Sequence, residues 1–131
     1  MKNNKYYRVY AEINLDAIVK NVDNLMALTK ENTGALAVVK ADGYGHGDVA
    51  VAKAVAQKVT GYAVATLDEA VNLRENGVKK PILVLGYVDP YEFDILVSHE
   101  ITATVFDVET AQLLADAARV QKKQAHCHIK V

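Results

Sequence analysis

The chain has 131 residues, of which 51% are hydrophobic and 24% are charged, and its formal net charge is −1. This length is typical of one domain with a single core, and the composition excludes a disordered or low-complexity segment. Neither the basic nor the acidic residues are clustered along the chain. The sequence therefore lacks the basic stripe that is typical of nucleic-acid binding. The single cysteine, Cys127, excludes an internal disulfide and is typical of a reducing compartment.

No apolar run approaches the roughly 18 residues that a bilayer-spanning helix needs, and residues 1–16 contain no signal-peptide core. We therefore expect a cytoplasmic protein with no membrane contact and no nucleic-acid partner. His126 and His128 flank Cys127, but this alternating segment is typical of a strand, whose side chains point to opposite faces. Because a tetrahedral zinc site needs further ligands at suitable spacing, we predict no metal site here.

Short apolar runs alternate with segments of helical period along the chain. An alternating segment at residues 10–14 predicts a first strand, and the amphipathic segment after it predicts a helix. That helix carries Ile18, Val22, Leu25 and Met26 on its apolar face. Further strands are predicted at residues 35–39, 62–65, 82–85, 102–105 and 126–131. The first of these, residues 35–39, is apolar throughout, which predicts burial on both faces.

The segments between the strands carry helix signals. Helices are predicted at residues 47–58, 66–76, 90–97 and 107–118. Thr66 and Glu69 form a capping box, in which each side chain accepts a hydrogen bond from a free backbone N–H. Gly77 ends that helix, and Asp107 caps the last one.

Strands separated by helices predict right-handed crossovers and a parallel sheet. Two architectures use such a repeat, the doubly wound sheet and the eight-stranded (β/α)8 barrel, and periodicity alone does not choose between them. No linker composition interrupts the chain, so residues 1–131 are predicted to belong to one α/β unit.

The segment from Val38 to Gly47 concentrates the chemical signals of the sequence. Lys40 ends an apolar strand, directly before a loop with three glycines. In both candidate folds the carboxyl ends of the strands form the active-site edge. A lysine amine there is suited to Schiff-base chemistry, and glycines let a ligand approach the backbone closely. On the residues alone, a surface lysine followed by an ordinary glycine turn fits equally well, while neither glycine pattern of nucleotide-binding loops is present.

The run AVVKADGYGHG at residues 37–47 resembles the pyridoxal 5'-phosphate (PLP) attachment motif of bacterial alanine racemases. Further stretches agree with that family in order and spacing, namely residues 11–18, 65–70, 81–86 and 128–131. The resemblance covers nearly the whole chain. It implies a PLP-dependent isomerase that interconverts L-alanine and D-alanine for the cell wall, built on a (β/α)8 barrel followed by a β-domain.

The resemblance also implies roles for individual residues. Lys40 matches the catalytic lysine that attaches PLP covalently and serves as one of two bases. Tyr44 matches the tyrosine whose hydroxyl contacts the cofactor phosphate. Lys130 matches a lysine that is often carbamylated in the family, and an unmodified Lys130 stays an alternative. His46 matches no specific role, and we expect it to hydrogen bond or pack within the turn.

In the resembled family, the second base is a tyrosine from the C-terminal domain of a partner subunit, which implies a homodimer acting on a small amino acid. A full barrel takes about 250 residues, so five strands do not close it. We therefore expect residues 1–131 to be the N-terminal part of the PLP-binding barrel domain and to be inactive alone. A racemase for another amino acid, such as serine, and a non-catalytic fragment that self-associates through open sheet edges are the alternatives.

Overall fold

The computed structural model describes residues 9–131, in which helices alternate with parallel strands. The strands are β1 (Leu36–Val38), β2 (Gly61–Val64), β3 (Ile82–Val84), β4 (Thr102–Val105) and β5 (His126–Ile129). The helices are α1 (Leu15–Met26), α2 (Asp48–Ala54), α3 (Leu67–Glu75), α4 (Phe93–Ser98, after a 3-10 turn at Pro90–Glu92) and α5 (Val108–Val120). The short segment Lys40–Gly45 also winds helically, but with left-handed backbone angles.

The five strands form one sheet in the order β1-β2-β3-β4-β5, and every neighbouring pair is parallel. Neighbours in the sheet are therefore neighbours in the chain. A doubly wound sheet reverses its strand order at a switch point, whereas a barrel adds each strand beside the previous one. The observed order confirms the partial (β/α)8 barrel and decides between the two predicted architectures.

The hydrophobic core lies between one face of the sheet and the helices that pack on it. The strands contribute alternate residues to this core, namely Tyr62, Val64, Ile82, Val84, Ala103 and Val105, while the intervening Ala63, Leu83 and Thr104 are buried on the other face of the sheet. The helices contribute Ala52, Leu73, Leu96, Leu114 and Ala118, among others. This alternation is the period of two that places successive strand residues on opposite faces.

β1 is not buried on both faces, which corrects the prediction. Val39, directly after the strand, is 2% exposed, but Leu36 and Val38 are each 43% exposed. β1 is the first strand in the sheet order and pairs only with β2 among residues 9–131. Leu36 and Val38 lie on the face opposite the helix-packed core, so their apolar side chains have no covering layer in the described part of the chain.

The segment at residues 10–14 is not a strand, which corrects a second prediction. A strand needs a neighbour to complete its hydrogen-bond ladder, and the described sheet consists of β1 to β5 only. Asn14 instead caps α1, because its side-chain oxygen accepts a hydrogen bond of 2.9 Å from the Ala17 N–H. The predicted helix after residue 14 is confirmed.

None of the helices between Val9 and Val131 has the length and apolar character that crossing a bilayer requires.

Candidate active site

Lys40 lies at the carboxyl edge of the sheet, two residues beyond the end of β1. The backbone on its amino side is held in the sheet, because the Val39 N–H donates to the Ala63 carbonyl at 2.9 Å. On the other side, the Gly43 N–H donates to the Val39 carbonyl at 2.9 Å. The Lys40 side chain is half-buried at this edge. This is the edge where barrel enzymes place their active sites.

The residues after Lys40 form a left-handed turn. Ala41, Asp42, Gly43 and Tyr44 have φ angles of 52°, 53°, 60° and 57°. L-residues other than glycine pay about 1–2 kcal/mol each for this conformation, and only one of the four is glycine. The sequence predicted a glycine-rich turn but not its handedness. Backbone strain of this kind persists only when surrounding contacts hold it, and it is concentrated at ligand-binding sites.

Local hydrogen bonds hold the carboxyl half of the turn. The Nδ1 of His46 lies 3.0 Å from the Gly43 carbonyl oxygen and 3.1 Å from that of Tyr44. Because carbonyl oxygens only accept, this nitrogen carries the hydrogen. The Asp42 side chain accepts from the Asp48 N–H at 3.1 Å, and the Asp42 carbonyl accepts from the following helix start. The expectation that His46 hydrogen bonds within the turn is confirmed.

Glu69 holds the amino half of the turn. Its Oε1 accepts a hydrogen bond of 2.7 Å from the Ala41 N–H, and its Oε2 accepts one of 2.7 Å from the Ala65 N–H. The predicted capping box with Thr66 is confirmed as well. The link to Ala41 was missed, because it joins residues 28 positions apart. The signal in the sequence that could have indicated this link is Glu69 itself. It is an acidic residue in the first turn of α3, the helix that follows β2, and β2 is the strand beside β1.

The left-handed turn brings Lys40 and Tyr44 together. The Lys40 Nζ lies 5.9 Å from the centroid of the Tyr44 ring, within the range of a cation–π contact. The Tyr44 ring is 60% exposed. Neither of the two ion pairs found within residues 9–131 involves Lys40, and a lysine amine that is not held in an ion pair is chemically suited to covalent attachment to a carbonyl group. A methyl group at Gly45 would meet no atom within 4 Å, so this side of the turn is open.

Lys130 lies at the same edge of the sheet as Lys40, after the last of the five strands. Its N–H donates to the Val105 carbonyl at 2.9 Å, and its Nζ lies 5.7 Å from the centroid of the Phe106 ring. Three strands separate β1 from β5 in the order of the sheet. Phe106 was not predicted as a neighbour, although its position directly after β4 places it at this edge.

A cleft of about 360 Å³ opens at the opposite, amino-terminal edge of the sheet. Its lining includes Pro81, Thr102 and His126, which lie at the starts of β3, β4 and β5. It does not include Lys40, and the amino-terminal edge of a barrel serves stability rather than catalysis. Within residues 9–131, no three His, Cys, Asp or Glu side chains come together as a metal-binding group.

A sequentially ordered parallel sheet with helices in its connections defines part of a (β/α)8 barrel. The family model described as alanine racemase, N-terminal domain, matches residues 13–131. The chain therefore belongs to the alanine racemase N-terminal domain family.

Individual relatives agree with this assignment. Alanine racemase 1 of Bacillus subtilis is 45% identical over 134 aligned positions, which cover 100% of this chain and 34% of the relative. The solved alanine racemase of Clostridium difficile 630 in complex with cycloserine is 39% identical, with a TM-score of 0.89, covering 95% of this chain and 34% of that one. A histidine racemase from Leuconostoc mesenteroides is 27% identical, with a TM-score of 0.78 over 86% of this chain and 30% of that one. The chain spans about a third of the length of the curated relatives it matches.

Proposed function

We propose that this chain forms the PLP-binding N-terminal part of the barrel domain of an alanine racemase, with Lys40 as the attachment residue. The observation that carries the proposal is the position of Lys40 at the carboxyl edge of the sheet, where its half-buried side chain lies beside Tyr44 on a strained turn. Membership of the alanine racemase family supports it. Because the chain covers only a third of its relatives, the activity of the whole enzyme belongs to the proposal.

The residues at this edge fit the chemical groups of PLP. The Lys40 amine is the group that can attach to the aldehyde of PLP. The exposed Tyr44 side chain carries a hydroxyl that can donate to a phosphate oxygen, and the open side of the turn at Gly45 leaves room for it. When bound, PLP supplies an electron-withdrawing ring that makes the proton on the substrate Cα acidic. Once the substrate amine has displaced it from the cofactor, the Nζ of Lys40 would be placed to remove or return that proton on one face of the substrate.

Because Lys130 matches a lysine that is often carbamylated in the resembled family, it is the proposed site of carbamylation. Its Nζ lies at the carboxyl edge against the Phe106 ring, a contact that favours a cation. A carbamate there would carry a negative charge, so modification would remove this attraction. Incubation with isotopically labelled bicarbonate, followed by NMR of the protein, distinguishes the two states. We expect a carbamate signal that is lost in Lys130→Ala, and its absence from the wild-type protein would favour the unmodified lysine.

The remaining properties of the proposed enzyme follow from the family. They are a small amino acid as substrate, a homodimeric full-length enzyme, a cytoplasmic location and a role in supplying D-alanine to the cell wall. The bound cycloserine of the Clostridium difficile relative, a small molecule, supports a small-molecule substrate. We also propose that the second base lies outside residues 1–131, since the resemblance assigns it to a C-terminal domain.

A racemase of the same architecture for another amino acid is the second candidate. The histidine racemase relative shares this part of the fold, so the fold is compatible with more than one substrate. Racemisation assays of the full-length enzyme with alanine, serine and histidine would separate the candidates. Preference for alanine is the expected result.

The attachment of PLP to Lys40 is directly testable. The purified chain is incubated with PLP, dialysed and reduced with borohydride, and the modified lysine is located by mass spectrometry. We expect modification at Lys40, absence of bound PLP in Lys40→Ala, and retention in Lys79→Ala, a control that removes an exposed lysine at the opposite edge. Equal retention of PLP by the wild-type chain and Lys40→Ala would contradict the proposal. D-alanine production by this chain alone should be undetectable.

A further inference from the structure

One carboxylate connects the start of α3 to the backbone beside Lys40. Glu69 accepts hydrogen bonds from three backbone N–H groups, at 2.7 Å from Ala41, 2.7 Å from Ala65 and 3.4 Å from Thr66. A capping box requires only that the glutamate reach the backbone N–H at the helix start. In this chain Oε2 makes the hydrogen bonds at the helix start. Oε1 instead accepts from Ala41, which lies in the connection between β1 and α2.

The N–H that Oε1 binds belongs to the residue at which the left-handed turn begins. Ala41 directly follows Lys40 and has a φ angle of 52°. The contacts of His46 and Asp48 hold the carboxyl half of the turn, several residues further along. Hydrogen bonds from an N–H to a carboxylate are about twice as strong as neutral ones. Glu69 therefore fixes the peptide that determines the direction in which Lys40 leaves the strand.

We propose that Glu69 is a positioning residue for Lys40: its carboxylate holds the Ala41 peptide so that the lysine amine is oriented toward the cofactor. The inference rests on the proposed attachment of PLP to Lys40. Glu69 need not touch the cofactor for this role, since it acts on the backbone of the adjacent residue. The same carboxylate also accepts from the Ala65 N–H. The backbone that follows β1 and the backbone that follows β2 are therefore held by one side chain.

The test separates positioning from helix capping with three variants. Glu69→Ala removes all three contacts of the carboxylate, whereas Thr66→Ala removes only the oxygen that caps the Glu69 N–H and leaves the carboxylate in place. Glu69→Gln is the conservative variant, whose single amide oxygen cannot replace both carboxylate oxygens. For each, we would measure PLP affinity, the circular dichroism of the bound cofactor, urea stability, and hydrogen exchange at the Ala41 amide without cofactor.

We expect Glu69→Ala and Glu69→Gln to bind PLP about tenfold more weakly, with altered circular dichroism, and Glu69→Ala to lose protection at Ala41. Tenfold corresponds to about 1.4 kcal/mol. Thr66→Ala should lose stability while keeping wild-type affinity and Ala41 protection. If Glu69→Ala loses stability but retains wild-type affinity and circular dichroism, Glu69 is only a helix cap and the inference is overturned. If the wild-type protein attaches no PLP at Lys40, the proposed function fails first, and the inference fails with it.

Discussion

Two glycines of the left-handed turn have different reasons to be glycine. A Cβ built at Gly43 would lie 3.2 Å from the backbone nitrogen of Asp48, and the φ angle of Gly43 is +60°. Gly45 also has a positive φ, of +79°, but a Cβ there would meet no atom within 4 Å. Gly43 thus combines a backbone requirement with a close approach to α2, whereas Gly45 has the backbone requirement alone.

We therefore expect Gly43→Ala to destabilise the protein more than Gly45→Ala. Gly45→Ala should lower the free energy of unfolding by about 1 kcal/mol, the cost of a left-handed L-residue. Gly43→Ala adds the displacement of α2, and we expect about 2 kcal/mol or more in total. Urea denaturation of the two variants measures both values. Equal losses of unfolding free energy in the two variants would show that moving α2 away from the turn has no energetic cost.

At the scale of elements, Arg74 joins two loops at the amino-terminal edge of the sheet. Its guanidinium donates to the carbonyl groups of Val78 and Lys80, before β3, and of His99 and Glu100, before β4. The four distances lie between 2.6 and 3.0 Å. Partial burial lowers the pKa of Arg74, and the negative charge of Glu100 acts in the opposite direction.

Replacement of Arg74 by methionine should lower the free energy of unfolding by about 2 kcal/mol, because several carbonyl groups lose their donor in a partly buried position. Arg74→Lys should recover only part of the loss, since an ammonium group lacks the planar geometry of the guanidinium. Arg119→Met is the matched control: this arginine pairs with Asp116 on the exposed surface of α5. Its removal should change stability by less than about 0.5 kcal/mol in the same urea experiment.

The amino end of α5 provides a pH-dependent contribution to stability. The Asp107 carboxylate accepts hydrogen bonds from the backbone N–H of Thr110 at 2.7 Å and from its hydroxyl at 3.1 Å. These bonds, the backbone one foremost, hold the pKa of Asp107 below its ordinary value. The folded state thus favours the charged form. The stabilisation is fully present above the pKa of an unfolded aspartate, about 3.9, and is lost as the pH falls through the lower folded value.

Asp107→Asn should retain the helix cap, because asparagine caps about as well as aspartate, but should lose this acid dependence. Thermal unfolding of both proteins from neutral pH to about pH 3 compares their slopes. The wild-type protein should lose more stability than Asp107→Asn at the acid end. If stability falls with pH in the same way for both proteins, Asp107 has the same pKa in the folded and unfolded states.

Local signals explain which elements were predictable from the sequence. The cap of α3 by Thr66 and Glu69 and that of α5 by Asp107 involve residues three positions apart, and both are present as predicted. The exposure of Leu36 and the link from Glu69 to Ala41 depend on which elements lie beside each other in the sheet. No sequence window contains that information, because the residues concerned are far apart along the chain.

At the scale of the whole molecule, the sheet is open at β5. This strand pairs only with β4 within residues 9–131, and Ile129 is 77% exposed. The Lys130 N–H points to β4, where it donates to the Val105 carbonyl. Because successive strand residues alternate in direction, the Ile129 N–H points away from β4 and is available to another strand. An edge of this kind pairs readily with another copy of the chain.

We predict that this 131-residue chain self-associates through β5 and that Ile129→Pro weakens the association. Proline removes the outward donor without removing a hydrogen bond to β4, as proline is tolerated at sheet edges. His128→Pro is the control, because it removes a donor on the side of β4 and should destabilise the strand itself. Sedimentation velocity over a concentration series measures the association. Unchanged association of Ile129→Pro would exclude this edge as the interface.

The sequential strand order also affects how the protein is made. Each strand pairs with the strand synthesised just before it, across connections of similar length. The entropy cost of closing a loop rises only slowly with its length. The entropy cost of pairing each new strand with the previous one is therefore about the same. A chain that emerges from the ribosome amino end first can therefore add its strand–helix units in order. The left-handed turn after Lys40 lies in the first of these connections, and its partner Glu69 emerges with the next unit, before β3 has been synthesised.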